Sequence, residues 1–423
     1  MKFPYSLLGC LLLTASVAAA EWPQYHGVNS DKKSQEALTS AAWLKNSSSQ
    51  LWKAKTPLGF SSFSVAGGLA YTLIGLEDED GLQREVCVAL DVQSGRQKWS
   101  SWLDRLDYGS GGGNAGANDN KGGDGPRSTP SISDGKVYVY DSEMNLFCLD
   151  AKTGKQAWKV SVQKRHKGQP IKWENASAPL IEGNKVIVYG GGPGQTFLAL
   201  DKANGDVIWA SGKETITHAT PIAATIHGVR QVIFFCVSGL VSVDASSGKE
   251  LWRQKFRFKV STAAAPIVAG DHVYCSAGYG VGAGLYRISR KGGNFASAEV
   301  WRKQNELINH WSTPVYHEGH LYGMFSFKKY GQGPLQCVEL KTGKVKWSKD
   351  GYGPGNVILA GKNLLALSDI GELAVVAADP SGYKELGRRK VIGGKCWSTP
   401  VISDGKVFAR STTEAVCLKA SSR

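Results

Sequence analysis

The chain has 423 residues, of which 51 are Gly and only 3 are Met, and 42% of it is apolar. That composition suits many short strands joined by turns and argues against an architecture of long helices. Lys and Arg number 50 against 36 Asp and Glu, a formal charge of +14, and beyond the first residues no apolar run is long enough to cross a bilayer, so a basic protein that is not transmembrane is expected.

In chain order, Met1-Lys2, an apolar run from Leu7 to Val17 and Ala18-Ala19-Ala20 read as a signal peptide over residues 1–20. The expected location is periplasmic or extracellular. Residues 21–50 read as an N-terminal extension, and 51–423 as a single propeller domain. LWKAKT (51–56) has the pattern of an outer strand with no partner before it.

Two phrases then alternate to the end. LDVQSGRQKW (90–99) returns as LDAKTGKQAW (149–158), LDKANGDVIW (200–209), VDASSGKELW (243–252) and VELKTGKVKW (338–347). Each predicts a strand, a turn capped by the acid with Gly at positive φ, and a strand ending in Trp. Upstream of these copies stand RSTPSISDGKVYVY (127–140), SAPLIEGNKVIVYG (177–190) and STPVYHEGHLYGMF (312–325), and STPVISDGKVFARS (398–411) closes the series; each predicts two more strands about a Gly turn. Together they form four-stranded antiparallel units, strands a to d, at a period of roughly 40–50 residues, which predicts an all-β, eight-bladed β-propeller. The unit at 356–391 lacks its Trp, and a seven-bladed ring that omits it is the alternative. The last unit has strands a to c only, so 51–56 is expected to supply its strand d and close the ring. The tryptophans, Trp52, Trp99, Trp158, Trp209, Trp252, Trp301 and Trp347, are expected to plug the space between neighbouring blades.

Seven cysteines follow the signal: Cys87, Cys148, Cys236, Cys275, Cys337, Cys396 and Cys417. Their odd number and the lack of a CxxC pair favour packing over disulfides or metal ligands. Basic clusters at 164–167, 255–259 and 388–390 read as a solvated rim, with an acidic glycan or envelope surface as the alternative partner; nucleic acid is not expected of an exported chain. The stretch 109–125 (GSGGGNAGANDNKGGDG) reads as a flexible lid that leads into Arg127.

The loop from strand d to the next strand a opens on the central funnel, so the residue three before each strand-a Pro should line a ring. That slot holds Phe60, Arg127, Ala176, His218, Ala263, Trp311, Gly353 and Trp397, with Glu174, Asn175, His310 and Cys396 beside it. Such a ring offers stacking faces and a guanidinium to a protein partner or to a small anionic, aromatic ligand.

The repeated LDxxTGKxxW with its upstream TPxIxDGxVY resembles the pyrroloquinoline-quinone (PQQ) type propeller repeat, over nearly the whole chain after the signal. The opening WPQY (22–25) resembles the segment that begins many exported propellers of this kind. The resemblance implies two functional classes: non-catalytic exported propellers of the BamB type, and dehydrogenases that use PQQ with calcium. For the second class it implies that PQQ would occupy the ring, with Glu174 and Asn175 as oxygen ligands for Ca²⁺. The absence of adjacent cysteines, of a ring-slot Asp as base and of a CxxCH haem motif weighs against that class. The expected function is an exported, non-catalytic binding or assembly scaffold with a ligand- or partner-binding funnel and no catalytic or metal residues; the alternative is a PQQ- and calcium-dependent alcohol or sugar dehydrogenase.

Overall fold

A computed structural model describes residues 20–105, 123 and 125–420. The signal peptide expected over residues 1–20 lies outside these residues except for Ala20, as does the glycine-rich stretch expected to act as a lid except for Gly123 and Gly125. Eight antiparallel sheets follow one another in chain order as the blades of a propeller. Blades 1 to 7 span 64–105, 131–161, 180–211, 222–255, 267–303, 315–349 and 356–390. Blade 8 holds Val401–Ser403, Lys406–Arg410 and Glu414–Lys419, and its outermost strand is Gln50–Lys55, antiparallel to Glu414–Lys419.

The first repeated phrase is a lock between blades. In the turn after strand c the Asp carboxylate caps the backbone, as where Asp150 Oδ1 accepts the N–H groups of Lys152 at 3.1 Å and Thr153 at 3.0 Å. Gly154 follows at φ 73°, the left-handed region that favours glycine. The turn seats the Trp of the preceding blade: a Cβ on Gly154 would lie 2.5 Å from the Trp99 ring, and Trp99 Nε1 donates to Ala151 O at 3.0 Å. Trp52, Trp158, Trp209, Trp301 and Trp347 donate in the same way to Val92, Lys202, Ala245, Leu340 and Asp379. Trp252 is the exception and donates to Gln231 Oε1 of its own blade at 2.7 Å. Blade 5 instead extends strands c and d into a long hairpin, Gly282–Lys291 with Asn294–Lys303. Where blade 7 lacks its Trp, Leu38, Trp43 and Leu44 of the extension join the apolar cluster of blades 7 and 8.

The second phrase stitches the inner strands around the channel. The hydroxyl before the strand-a Pro accepts a backbone N–H from the neighbouring blade: Ser62 N donates to Thr129 Oγ1, Ala178 N to Thr220 Oγ1 and Ala265 N to Thr313 Oγ1, all between 2.9 and 3.0 Å. Blade 8 meets blade 1 through the buried Arg410 guanidinium, which donates to Ser61 O at 2.8 Å and Leu58 O at 2.6 Å. All seven described cysteines are free and buried, and burial raises the Cys87 thiol far above its usual range.

The extension crosses the opposite end of the channel from the funnel. Trp22 bridges Val65, Pro23 O accepts Ile132 N–H at 2.7 Å, and Lys33–Ser34 adds a parallel strand to Asn356–Ala360.

Candidate functional site at the funnel mouth

Because strands alternate in direction, the d–a and b–c loops emerge at one end of the ring. The structure brings three of the ring-slot residues into one stack there. Phe60 lies on Trp397 with centroids 5.2 Å apart, and Trp397 lies on Trp311 at 4.2 Å. The stack continues into residues the slot rule missed, since it considered only d–a loops. Phe327, from the b–c loop of blade 6, sits 5.6 Å from Trp311 and 4.7 Å from His310. Tyr279, from the b–c loop of blade 5, is 5.1 Å from His310 and 49% exposed.

Cations flank these rings. The Arg127 guanidinium is 5.9 Å from the Phe60 ring, Lys395 Nζ 4.8 Å from Trp397 and Lys328 Nζ 4.8 Å from Tyr279. Arg127 also donates to Gly123 O at 2.6 Å and lies 3.9 Å from the Glu174 carboxylate. His218 stands apart from the stack, with its Nδ1 2.6 Å from Ser261 Oγ and its ring 6.4 Å from Trp173.

Burial governs the titration of this end. It pushes His218 down to about 3, with the positive charges of Arg127 and His310 adding, and His310 down to about 4, with Lys328 adding. Asp369, in the b–c loop of blade 7, is fully buried, and burial raises its carboxyl to about 7 against the Gly331 N–H and Lys395. Its carboxylate fills the space a side chain at Gly353 would need, 2.1 Å from such a Cβ. The ring slot at Gly353 therefore carries an acid that arrives from another loop. His310 Nδ1, Trp397 Nε1 and Ser312 Oγ are buried without a hydrogen-bond partner, so this end of the channel has unmet polar capacity.

The side chains as arranged do not fit the PQQ and calcium pair. The faces of Trp397 are taken by Phe60, Trp311 and Lys395, which leaves no gap for a planar ring. The Asn175 amide is committed internally, donating to Tyr140 O, Asp141 O and Ser177 O while its Oδ1 accepts Ser177 N–H. Glu174 faces Arg127, and among the described residues no three His, Cys, Asp or Glu side chains converge to hold a metal ion. Cys396 is fully buried.

The basic clusters are partly used within the fold. Arg388 pairs with Glu372 at 2.9 Å and Glu385 at 3.1 Å, Arg389 donates to Asn46 O, and Lys390 donates to Ile370 O.

Comparison with known proteins agrees with this architecture. The chain is 24% identical to tetrathionate hydrolase of Acidithiobacillus ferrooxidans over 66% of its own length and 49% of that protein. It is 31% identical to quinoprotein ethanol dehydrogenase of Pseudomonas aeruginosa over 31% of its length and 23% of that protein, and 22% identical to outer membrane protein assembly factor BamB of Shewanella oneidensis over 57% and 62%. The chain thus spans about half the length of tetrathionate hydrolase and less of the dehydrogenase. Among solved structures, quinohemoprotein alcohol dehydrogenase of Comamonas testosteroni superposes with a TM-score of 0.65 at 13% identity, covering 96% of this chain and 81% of that one. BamB of Moraxella catarrhalis gives 0.58 at 14%, covering 87% and 97%. No described helix is long and apolar enough to cross a membrane. With its repeats matched over residues 83–349, the chain belongs to the family described as outer membrane protein assembly factor BamB.

Proposed function

We propose that the chain is an exported, non-catalytic binding scaffold that engages a protein partner at the funnel mouth. The observation that carries this reading is the closed stack of Phe60, Trp397 and Trp311, which ends at its outer rim in exposed Tyr279 beside Lys328. A rim of aromatic rings and cations fits an acidic segment that bears apolar side chains. The BamB kinship supports the same class of role.

A photo-crosslinking phenylalanine at Tyr279 tests this in cells, with the same probe at exposed Val300 on the outer strand of blade 5 as control. A discrete adduct at 279 and none at 300 is the expected result; equal labelling at both would refute a funnel-mouth partner.

The second reading is a PQQ- and calcium-dependent dehydrogenase, favoured by the 31% identity to the ethanol dehydrogenase and by the unpaired His310 Nδ1 and Trp397 Nε1. It requires Trp311 and Trp397 to part. A PQQ titration of the purified protein with and without Ca²⁺, followed by Trp fluorescence and repeated with Trp311→Ala and Arg127→Ala, separates the two. Saturable, calcium-dependent quenching weakened by both substitutions would establish the dehydrogenase reading and remove ours.

A further inference from the structure

The end of the channel opposite the funnel holds a cavity of about 390 Å³, within the range of small-molecule sites. It exists because the extension skips two blades. Residues 22–24 bond to blades 1, 2 and 3, and residues 32–36 to blades 6, 7 and 8. The inner strands of blades 4 and 5 are left facing the space between. Ile222, Ile267 and Val268 form its apolar wall, and His26 and Lys32 enter it from the extension.

Both polar groups are buried and incompletely met. His26 is 3% exposed, and its Nε2 has no hydrogen-bond partner. Lys32 is 1% exposed and donates only to neutral acceptors, Thr313 O at 2.6 Å and Asn356 Oδ1 at 3.3 Å. Among the described residues no carboxylate lies within ion-pair reach of it. Of the other charges at the cavity, Arg230 pairs with Glu182 at 2.7 Å, Lys33 lies over Tyr316, and the Asp31 carboxyl, raised by burial, accepts the Lys33 N–H at 3.1 Å. Burial pushes the Lys32 ammonium down to about 7. A buried cation without a counter-charge, beside an unpaired imidazole nitrogen and an apolar wall, is a costly arrangement unless something completes it.

We propose that this cavity binds a small organic carboxylate with an apolar body, whose carboxylate meets Lys32 and His26 and whose body lies on Ile222, Ile267 and Val268. Neither the scaffold reading nor the dehydrogenase reading is needed for it, since the cavity lies at the other end of the channel.

Isothermal titration of the purified chain with hexanoate and with its neutral analogue hexanamide tests the proposal. Hexanoate binds saturably, and hexanamide binds about ten- to a hundredfold more weakly, the loss expected when a charged hydrogen bond is removed. Lys32→Met weakens hexanoate by a similar factor, Val268→Trp abolishes binding by filling the cavity from blade 5, and Tyr279→Ala leaves it unchanged. Hexanoate and hexanamide binding alike, neither binding at millimolar concentration, or hexanoate binding surviving Val268→Trp would each overturn it.

Discussion

Blade 2 contains two glycines at nearly the same backbone angle and in opposite surroundings, which isolates the blade lock. Gly135, in the a–b turn, has φ 69°, and a Cβ there meets nothing within 4 Å; Gly154, in the c–d turn, has φ 73°, and its Cβ would lie 2.5 Å from the Trp99 ring. Alanine at either position bears the cost of the left-handed region, about 1–2 kcal/mol. Only Gly154→Ala must also displace Trp99, which is 8% exposed and held by its bond to Ala151. Overpacking adds about 1–3 kcal/mol. Gly154→Ala is therefore expected to destabilise by about 2–5 kcal/mol and Gly135→Ala by about 1–2 kcal/mol. In a Trp99→Ala background, itself about 3–5 kcal/mol less stable, the excess at Gly154 should vanish while the cost at Gly135 persists. Equilibrium denaturation followed by far-ultraviolet circular dichroism measures all six proteins without relying on the Trp signal. Equal costs at the two glycines, or an excess that survives loss of the Trp, would refute the claim that the repeated Gly exists to seat the neighbouring ring.

Three further outcomes follow from buried charge. Arg410→Met should cost about 1–3 kcal/mol for each carbonyl left without a donor, among them Ser61 and Leu58, read by the same denaturation. His218 and His310 sit near 3 and 4 when folded, below their usual 6.5; the unfolded chain binds those protons first, so stability held above pH 6.5 is lost as pH falls toward 4. His218→Gln should flatten that loss in thermal midpoints taken across the interval, and an unchanged profile would count against the burial of a neutral ring. Asp369 has the opposite sign: its folded value near 7 exceeds its usual 3.8, so its contribution is present in acid and lost as pH rises through 7. The stability of Asp369→Asn relative to the parent should therefore climb between pH 4 and 8.

The blades were legible because each is written as a local period of acid, Gly and Trp, and the physics that repeats is confined to one turn and its neighbour. Even the unit at 356–391 kept its strands, and the structure counts it as blade 7. The funnel was half legible. Phe60, Trp311 and Trp397 occupy equivalent slots and do meet, but Phe327, Tyr279 and Asp369 reach the same end on b–c loops, whose length varies and which carry no repeated marker. Asn175 shows the opposite failure: its position next to the slot suggested a ligand, whereas its amide closes the backbone of its own loop. The cavity at the far end had no sequence signature, because it depends on which blades the extension happens to skip.

The exception at Trp252 is made good by other bonds across the same joint. Between blades 4 and 5 the indole bond is spent within blade 4, and the long hairpin of blade 5 takes its place: Ser297 Oγ donates to Gln254 Oε1, Arg290 donates to His227 O, and the Arg302 guanidinium lies over the Phe256 ring. Shortening that hairpin should therefore loosen this one joint, read as faster amide exchange along blade 5, while the indole-tied joints exchange as before.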